Sequence, residues 1–100
     1  MKYFIVEGSF ANDHPTGAVL EAGIKSHIEY IQTFFDSGMV LFSGPKIGSG
    51  GGFIIMRCSD AKEIRNFCDN DPLFRSGIQT YRVTEFVLHE CQDPLEYWFE

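Results

Sequence analysis

The sequence is poor in positive charge and contains no long hydrophobic run. Lys and Arg together number 8 against 14 Asp and Glu, which gives a net charge of −6. A protein with this acidic excess repels phosphate backbones and anionic lipids, so we expect neither nucleic acid nor a membrane surface as a partner. No apolar run approaches the roughly 20 residues that span a bilayer. The first ten residues, MKYFIVEGSF, have the pattern of a strand and not of a signal peptide.

Cysteine is also scarce, and its spacing indicates neither a disulfide framework nor a metal site. The three cysteines, Cys58, Cys68 and Cys91, include no CxxC pair. An odd number of isolated cysteines is typical of a reducing compartment. The three histidines show none of the short spacings that metal ligands on one element have. We therefore predict a cytoplasmic protein without a metal ion or an organic cofactor.

The hydrophobic period changes along the chain in an ordered way. Aromatic and β-branched residues indicate strands, and apolar residues three or four apart indicate helices. The predicted elements are a strand at 2–10, a helix at 18–37, strands at 39–43 and 53–58, a helix that starts at Asp60 and ends before Pro72, and a strand at 78–90. This β-α-β-β-α-β order is the ferredoxin-like arrangement, in which both helices pack on one face of a four-stranded antiparallel sheet.

The strands are apolar on both faces, although two helices can cover only one. Tyr-Phe-Ile-Val at 3–6 and Phe-Ile-Ile-Met at 53–56 are the clearest cases. A single domain of 100 residues also buries a modest part of its surface. We therefore predict a homodimer or higher oligomer that packs sheet against sheet as a dimeric α+β barrel. The aromatic tail at 91–100 is expected to dock on the body or on the partner subunit.

A glycine-rich stretch, Ile-Gly-Ser-Gly-Gly-Gly-Phe at 47–53, raises the question of a phosphate-binding loop. A P-loop ends in a Lys and a Ser or Thr that open a helix, so that backbone amides face the phosphate. Here Lys46 precedes the glycines, and a strand follows them. The stretch is predicted to be a hairpin connection, and a mobile lid over a pocket is left open as an alternative.

His27 is the histidine that carries most information. It lies three residues after Ile24 and four before Ile31, which places it on the apolar stripe of the first helix. A buried imidazole without a hydrogen-bond partner costs roughly 1–3 kcal/mol. Either His27 is a core histidine whose ring nitrogens are satisfied, or it belongs to a functional site.

Two acids are candidates for the partner of His27. Asp36 is nine residues further along the same helix and therefore lies on its opposite side, in solvent. Asp71 follows the second helix, where the partial negative charge of a helix C-terminus disfavours a carboxylate. The loop that contains Asp71 and Pro72 can fold over the first helix. A pairing with His27 would compensate for the unfavourable position, fix the tautomer of the ring and increase its basicity.

An ordered set of short motifs resembles the YCII-related (YciI-like) family. The set comprises His27 in the first helix, Gly38 followed by Leu-Phe-Ser-Gly-Pro at 41–45, the Asp-Pro-Leu-Phe turn at 71–74 and Gly-Ile at 77–78 before the last strand. The resemblance implies a dimeric ferredoxin-like α+β fold related to muconolactone isomerases. It also implies an active site with a His–Asp pair, which would correspond to His27 and Asp71. The short glycine-rich loop and the aromatic tail depart from the family pattern.

Two classes of function follow from these residues. The first is a small cofactor-free enzyme in which His27 is the general base and acid, Asp71 orients it, and Ser43, Gly44 and Pro45 position a cyclic carbonyl, enol or lactone substrate. An imidazole generally titrates near pH 6.5, which suits proton transfer at neutral pH. The second is a non-catalytic dimeric module that binds a small hydrophobic ligand or a protein in an aromatic pocket. A cofactor-free oxygenase is a third class, and no residue selects it.

Overall fold

The computed structural model describes residues 1–100 and contains one four-stranded antiparallel sheet with the two long helices on one face. The strands are β1 (Lys2–Phe10), β2 (Val40–Pro45), β3 (Gly52–Cys58) and β4 (Gln79–Phe86), in the order β2-β3-β1-β4. The helices are α1 (Gly17–Asp36), α2 (Ala61–Asn70), α3 (Pro72–Arg75) and a C-terminal 3₁₀ helix (Asp93–Phe99). The predicted α+β, ferredoxin-like fold is therefore confirmed. None of the helices combines the length and the apolarity that a bilayer crossing requires.

The hydrophobic core lies between the sheet and the helices. Phe4 and Val6 of β1 point to this side together with Ile54 and Met56 of β3, and all four are buried. From the helix side Phe67 of α2 packs among them. Burying one such side chain contributes about 1.5–3 kcal/mol. A one-residue shift of the strand register would turn these side chains to the other face, so their burial determines which face of the sheet packs against the helices.

The ends of the two long helices follow from local chemistry. Gly38 has φ 84° and terminates α1, because glycine is the residue that adopts this left-handed conformation at least cost. Asp60 caps α2 by accepting a hydrogen bond from Glu63 N. The Glu63 carboxylate reaches back to the backbone and side chain of Ser59, one residue before the cap. Each such cap contributes about 0.5–2 kcal/mol.

Strand β4 is shorter than the sequence predicts. It ends at Phe86, whereas its residues alternate in a strand-like way as far as position 90. Phe86 pairs with Tyr3, at the very start of β1. The chain beyond Phe86 has no strand to pair with, so the strand ends where its partner does. The prediction of a strand over 78–90 was wrong for this reason.

A short helix that the sequence analysis did not predict follows α2. Asp71 ends α2 and at the same time caps α3, where its side chain accepts a hydrogen bond from Leu73 N. Pro72 occupies the first turn of α3, a position that suits proline because no backbone N–H is needed there. Asp71 therefore sits at a helix N-terminus, where a carboxylate is favourable. The predicted conflict with a helix C-terminus was wrong, because the next helix begins at the same residue.

The side of the sheet away from the helices, which we call the outer sheet face, is apolar along one row. Phe42, Ile55 and Ile5 pair in sequence across β2, β3 and β1, and Phe53 lies beside them. Phe42, Ile5 and Phe53 are exposed in the single chain. The predicted excess of apolar residues on this face is thus present, and the two long helices do not cover it.

The aromatic tail covers one end of the outer sheet face. Trp98 is buried and donates a hydrogen bond from Nε1 to the carbonyl oxygen of Gly38. The guanidinium of Arg57 lies 4.9 Å from the centre of the Trp98 ring and also donates to the Trp98 carbonyl. Tyr3 packs against both Trp98 and Phe99. Trp98 is therefore held by its own chain and is not presented to a partner protein.

The glycine-rich loop at 48–52 is packed against β1. A Cβ atom at Gly51 would lie 2.0 Å from the carbonyl oxygen of Gly8, and one at Gly50 would lie 2.4 Å from the ring of Phe10. Both glycines have positive φ angles. The loop needs glycine for close backbone approach, and it forms part of the wall of a cleft.

Candidate active site

The cleft opens between α1, β2 and the end of the sheet that carries the glycine-rich loop. Its volume is about 650 Å³. Apolar side chains form most of its walls, and among them are Ile28 and Phe35 of α1, which are 60% and 52% exposed. Together with Ile31 they have the three- and four-residue spacing of one apolar helical stripe. Ile31 is the one buried residue of α1, because the apolar stripe faces the cleft at Ile28 and Phe35.

His27 and Asp71 meet at the cleft although they are 44 residues apart. The Nδ1 atom of His27 lies 2.8 Å from Oδ1 of Asp71. The His27 side chain is 19% exposed and lines the cleft, whereas Asp71 is fully buried behind it. Asp36, the other candidate partner, is exposed and accepts a hydrogen bond from Gln32 of its own helix.

Three donors surround the Asp71 carboxylate. Leu73 N donates to Oδ1 at 3.4 Å, and the hydroxyl of Tyr81 donates to Oδ2 at 2.5 Å. Because both carboxylate oxygens act as acceptors, the Nδ1 atom of His27 carries a proton and donates it in the hydrogen bond to Asp71. The Nε2 atom then has a free lone pair, and it makes no hydrogen bond within the protein. This arrangement can take up and return a proton at Nε2.

Tyr81 is a member of this network that the sequence analysis missed. Burial, followed by the hydrogen bond to Asp71, raises the pKa of Tyr81 far above its ordinary value of 10.0. The register of β4 places Tyr81 opposite Gly8, on the helix side of the sheet. Alternation along the predicted strand indicates on which side of the sheet Tyr81 lies. Only the folded structure shows that its hydroxyl reaches Asp71.

Two other groups near the network also stay protonated. Burial, with Asp71 and Cys68 nearby, raises the pKa of Tyr30 to about 12, and its hydroxyl donates to the carbonyl oxygen of Phe67. Burial, with Asp69 and Asp71 nearby, raises the pKa of Cys68 to about 12. A protonated buried thiol is a poor nucleophile, so Cys68 is structural.

The raised pKa of Tyr81 predicts a loss of stability at alkaline pH. Above pH 10.0 the tyrosine of the unfolded chain loses its proton, whereas folded Tyr81 keeps it. The folded state then binds more protons, so the free energy of unfolding decreases with pH by about 1.4 kcal/mol per pH unit for each such group. We expect Tyr81→Phe to make the decrease between pH 10 and pH 12 shallower by about that amount. Urea unfolding followed by circular dichroism measures the slope, and an unchanged slope would contradict the prediction.

The structure places Ser43, Gly44 and Pro45 in β2, where all three line the cleft opposite α1. Ser43 pairs with Ile54 and Pro45 with Gly52 across β3. Ser43 is exposed, and its hydroxyl makes no hydrogen bond within the protein. Lys46, next in sequence, also lines the cleft and forms an ion pair with Glu7 at 2.8 Å. No three His, Cys, Asp or Glu side chains lie close enough together to hold a metal ion.

The fold and the polar network define a ferredoxin-like α+β protein with a histidine and a carboxylate at one cleft. Residues 1–87 match the YCII-related domain, and the chain therefore belongs to the YCII-related family. The aromatic tail lies beyond the matched residues. No curated protein is significantly similar to the sequence.

A solved structure shares the fold. It is 5-chloro-2-hydroxyhydroquinone dehydrochlorinase (TftG) from Burkholderia phenoliruptrix AC1100, in complex with 2,5-dihydroxybenzoquinone. The TM-score is 0.67 and the sequence identity 19%, and the likeness covers 85% of this chain and 93% of that one. At this identity the likeness describes the fold of the chain and not its activity.

Proposed function

We propose that this protein is a small enzyme that transfers a proton on a cyclic carbonyl, enol or lactone compound. The observation that carries the proposal is the bond between His27 Nδ1 and Asp71, which leaves Nε2 free beside an apolar cleft of about 650 Å³. A cleft of this size accommodates a single-ring compound. The dehydrochlorinase with the same fold acts on a ring compound and binds a ring diketone, which supports this substrate class.

In the proposed step His27 acts first as a base and then as an acid. Nε2 removes a proton from a carbon next to a carbonyl group. The electron pair of the broken C–H bond becomes the C=C bond of an enolate, and the carbonyl π pair moves to oxygen. The imidazolium then returns the proton to the same carbon or to another one. Asp71 keeps the ring in its tautomer and stabilises the imidazolium, and Ser43 with the backbone of Gly44 and Pro45 positions the substrate.

The proposal is tested by incubating the protein in deuterium oxide with cyclohexanone, γ-butyrolactone or muconolactone, and by measuring chloride release from 5-chloro-2-hydroxyhydroquinone. We expect protein-dependent deuterium incorporation next to the carbonyl group, or chloride release, with at least one compound. Nuclear magnetic resonance detects the exchange, and an ion-selective electrode detects chloride. Rates equal to the protein-free blank for every compound would reject this substrate class.

The alternative is a non-catalytic module that binds a small hydrophobic ligand, and the exposed Ile28 and Phe35 at the cleft support it. The two candidates differ in their response to pH. Ligand affinity in a proton-transfer site should change as His27 titrates, whereas affinity for a purely apolar pocket should not. The pH dependence of affinity for 2,5-dihydroxybenzoquinone and for toluene, compared in wild type and His27→Gln, separates them.

We further propose that two copies associate through the outer sheet face in a cytoplasmic homodimer. The exposed Phe42, Ile5 and Phe53 support the dimer, and three unpaired cysteines support the location. Ile5→Arg is expected to weaken association by about 100-fold or more, because a charge would be buried without a partner. Val19→Arg, which changes an exposed apolar residue of α1, is the matched control. Sedimentation velocity should show a dimer for wild type and the control and a monomer for Ile5→Arg. A monomeric wild type would contradict the proposal.

A further inference from the structure

Gln79 and Asp71 are the two buried polar side chains of the chain, and only Asp71 is hydrogen-bonded within the protein. Asp71 accepts hydrogen bonds from three groups of the protein. Gln79, at the start of β4, is 3% exposed and lines the same cleft. Tyr81, two residues further along β4, donates its hydroxyl hydrogen bond to Asp71, so Gln79 lies beside a hydrogen-bonded group of three side chains, His27, Asp71 and Tyr81.

The Gln79 amide occupies the space beside Gly8 of β1, where any other residue would place a side chain. A Cβ atom at Gly8 would lie 2.6 Å from Cδ, 2.7 Å from Nε2 and 2.9 Å from Oε1 of Gln79. Three nearly equal distances mean that the flat amide lies face down on the backbone of Gly8. Gly8 does not have a positive φ angle, so its backbone conformation is open to any residue. Glycine is needed at this position for the space that the amide occupies.

The hydrogen-bonding capacity of this amide is not used up by the protein. A glutamine amide has one acceptor oxygen and two N–H donors. The Gln79 amide lies near the Tyr81 hydroxyl and lowers the pKa of Tyr81 against the larger effect of burial, but the two side chains make no hydrogen bond of ordinary length. The carbonyl oxygen and both N–H groups of the amide have no hydrogen-bond partner in the protein. No fully buried side-chain nitrogen or oxygen of the chain lacks a hydrogen bond, so these amide atoms reach the solvent of the cleft.

We infer that Gln79 is a ligand-orienting residue, which hydrogen-bonds an oxygen substituent on the ring of the compound that fills the cleft. An amide pairs with a carbonyl oxygen through its N–H and with an enol hydroxyl through its C=O, so it fits both forms of a ring that gains and loses a proton. Because most of the cleft wall is apolar, the amide and Ser43 together fix which edge of the ring faces His27. The identity of the ligand as an oxygenated ring rests on the proposed function. The packing of the Gln79 amide on Gly8 and its unused hydrogen-bonding groups do not depend on that function.

Binding measurements test this inference with two probes, 2,5-dihydroxybenzoquinone and toluene. Gln79→Leu removes the amide at similar volume, and Gly8→Ala displaces it without changing its chemistry. Both variants are expected to bind 2,5-dihydroxybenzoquinone about 10-fold more weakly than wild type, since one hydrogen bond to a buried neutral group is lost. Both should bind toluene within about twofold of wild type, because toluene has no oxygen to orient. Thr80→Val, on the opposite face of β4, is the matched control and should retain wild-type affinity for both probes.

The outcomes separate this inference from the proposed function. An affinity of Gln79→Leu for 2,5-dihydroxybenzoquinone within about twofold of wild type would overturn the role of Gln79, even if His27 proves essential for turnover. Failure of wild type to bind that probe at millimolar concentration would overturn it as well. A selective loss of quinone affinity in both variants, with no effect of His27 on turnover, would uphold the orienting role and reject the proton transfer. Urea unfolding of each variant shows that the protein tested is folded.

Discussion

Replacing His27 by glutamine should reduce the rate of proton transfer by about 10²–10⁴-fold, the usual contribution of a general base. Glutamine can still donate a hydrogen bond to Asp71, so the buried carboxylate keeps its partner and the fold is retained. It has no lone pair on nitrogen with which to accept a proton from carbon. The rate is measured as deuterium incorporation into whichever test compound wild type exchanges fastest.

His89→Gln is the matched control for this variant, because His89 is exposed and makes no hydrogen bond. It should exchange deuterium at the wild-type rate. Affinity of His27→Gln for 2,5-dihydroxybenzoquinone should decrease much less than the rate, since the cleft is otherwise unchanged. A rate within about tenfold of wild type would show that another group moves the proton. Loss of folding together with loss of rate would identify His27 as a core histidine.

The expectations that rest on periodicity agree with the structure because periodicity reflects burial. Three- and four-residue spacing predicted α1 and α2, and runs of aromatic and β-branched residues predicted β1, β2 and β3. The antiparallel order β2-β3-β1-β4 then follows from the ferredoxin-like arrangement. These features depend on which residues are apolar, which can be read from the chain itself.

The features that the sequence analysis missed depend on partners distant in the chain. The end of β4 at Phe86 is set by the start of β1, 83 positions earlier, to which it pairs through Tyr3. The position of Tyr81 against Asp71 is set by the packing of α3 on β4. One miss had a local signal: aspartate followed by proline is the usual pattern for the cap and first turn of a helix, and it marks α3 at Asp71.

The family resemblance and the physical argument contributed different parts of the candidate site. The helical position of His27 and its need for a partner came from physical reasoning, which also selected Asp71 over Asp36 and favoured a core histidine over a functional one. The motif set independently matched His27 and Asp71 to the His–Asp pair of the family, and the 2.8 Å contact between the two side chains supports the pair. Neither source indicated Gln79, because its importance rests on the missing side chain of Gly8, which faces it across the sheet.

Asp71 should affect stability and turnover in ways that two different substitutions separate. Asp71→Leu removes the acceptor for His27 Nδ1, the Tyr81 hydroxyl and Leu73 N at once. Each unsatisfied buried donor costs about 1–3 kcal/mol, and relaxation of His27 towards the cleft recovers part of this. We expect the free energy of unfolding to decrease by about 3–5 kcal/mol, as measured by urea unfolding.

Asp71→Asn should instead keep most of the stability and lose the activity. The neutral amide removes the negative charge that stabilises the imidazolium, whether its nitrogen donates to the Tyr81 hydroxyl oxygen or to His27 Nδ1. With the nitrogen towards Nδ1, the imidazole proton also moves to Nε2, and the ring facing the cleft can no longer act as a base. We expect a rate at least about 100-fold below wild type with about 1–2 kcal/mol of stability lost.

The control for both variants is Asp69→Asn, which removes an exposed carboxylate from the same end of α2 and should change neither quantity measurably. Three outcomes then distinguish the roles of Asp71. Loss of rate in Asp71→Asn with only about 1–2 kcal/mol of stability lost shows that His27 needs the charged carboxylate to act as a base. Equal loss of stability in both variants, with the rate per folded molecule unchanged, shows that Asp71 serves only as the cap of α3 and the acceptor for Tyr81. Wild-type rate and stability in Asp71→Asn would mean that His27 is competent as a base without a charged partner, and the pair would then have no role in catalysis.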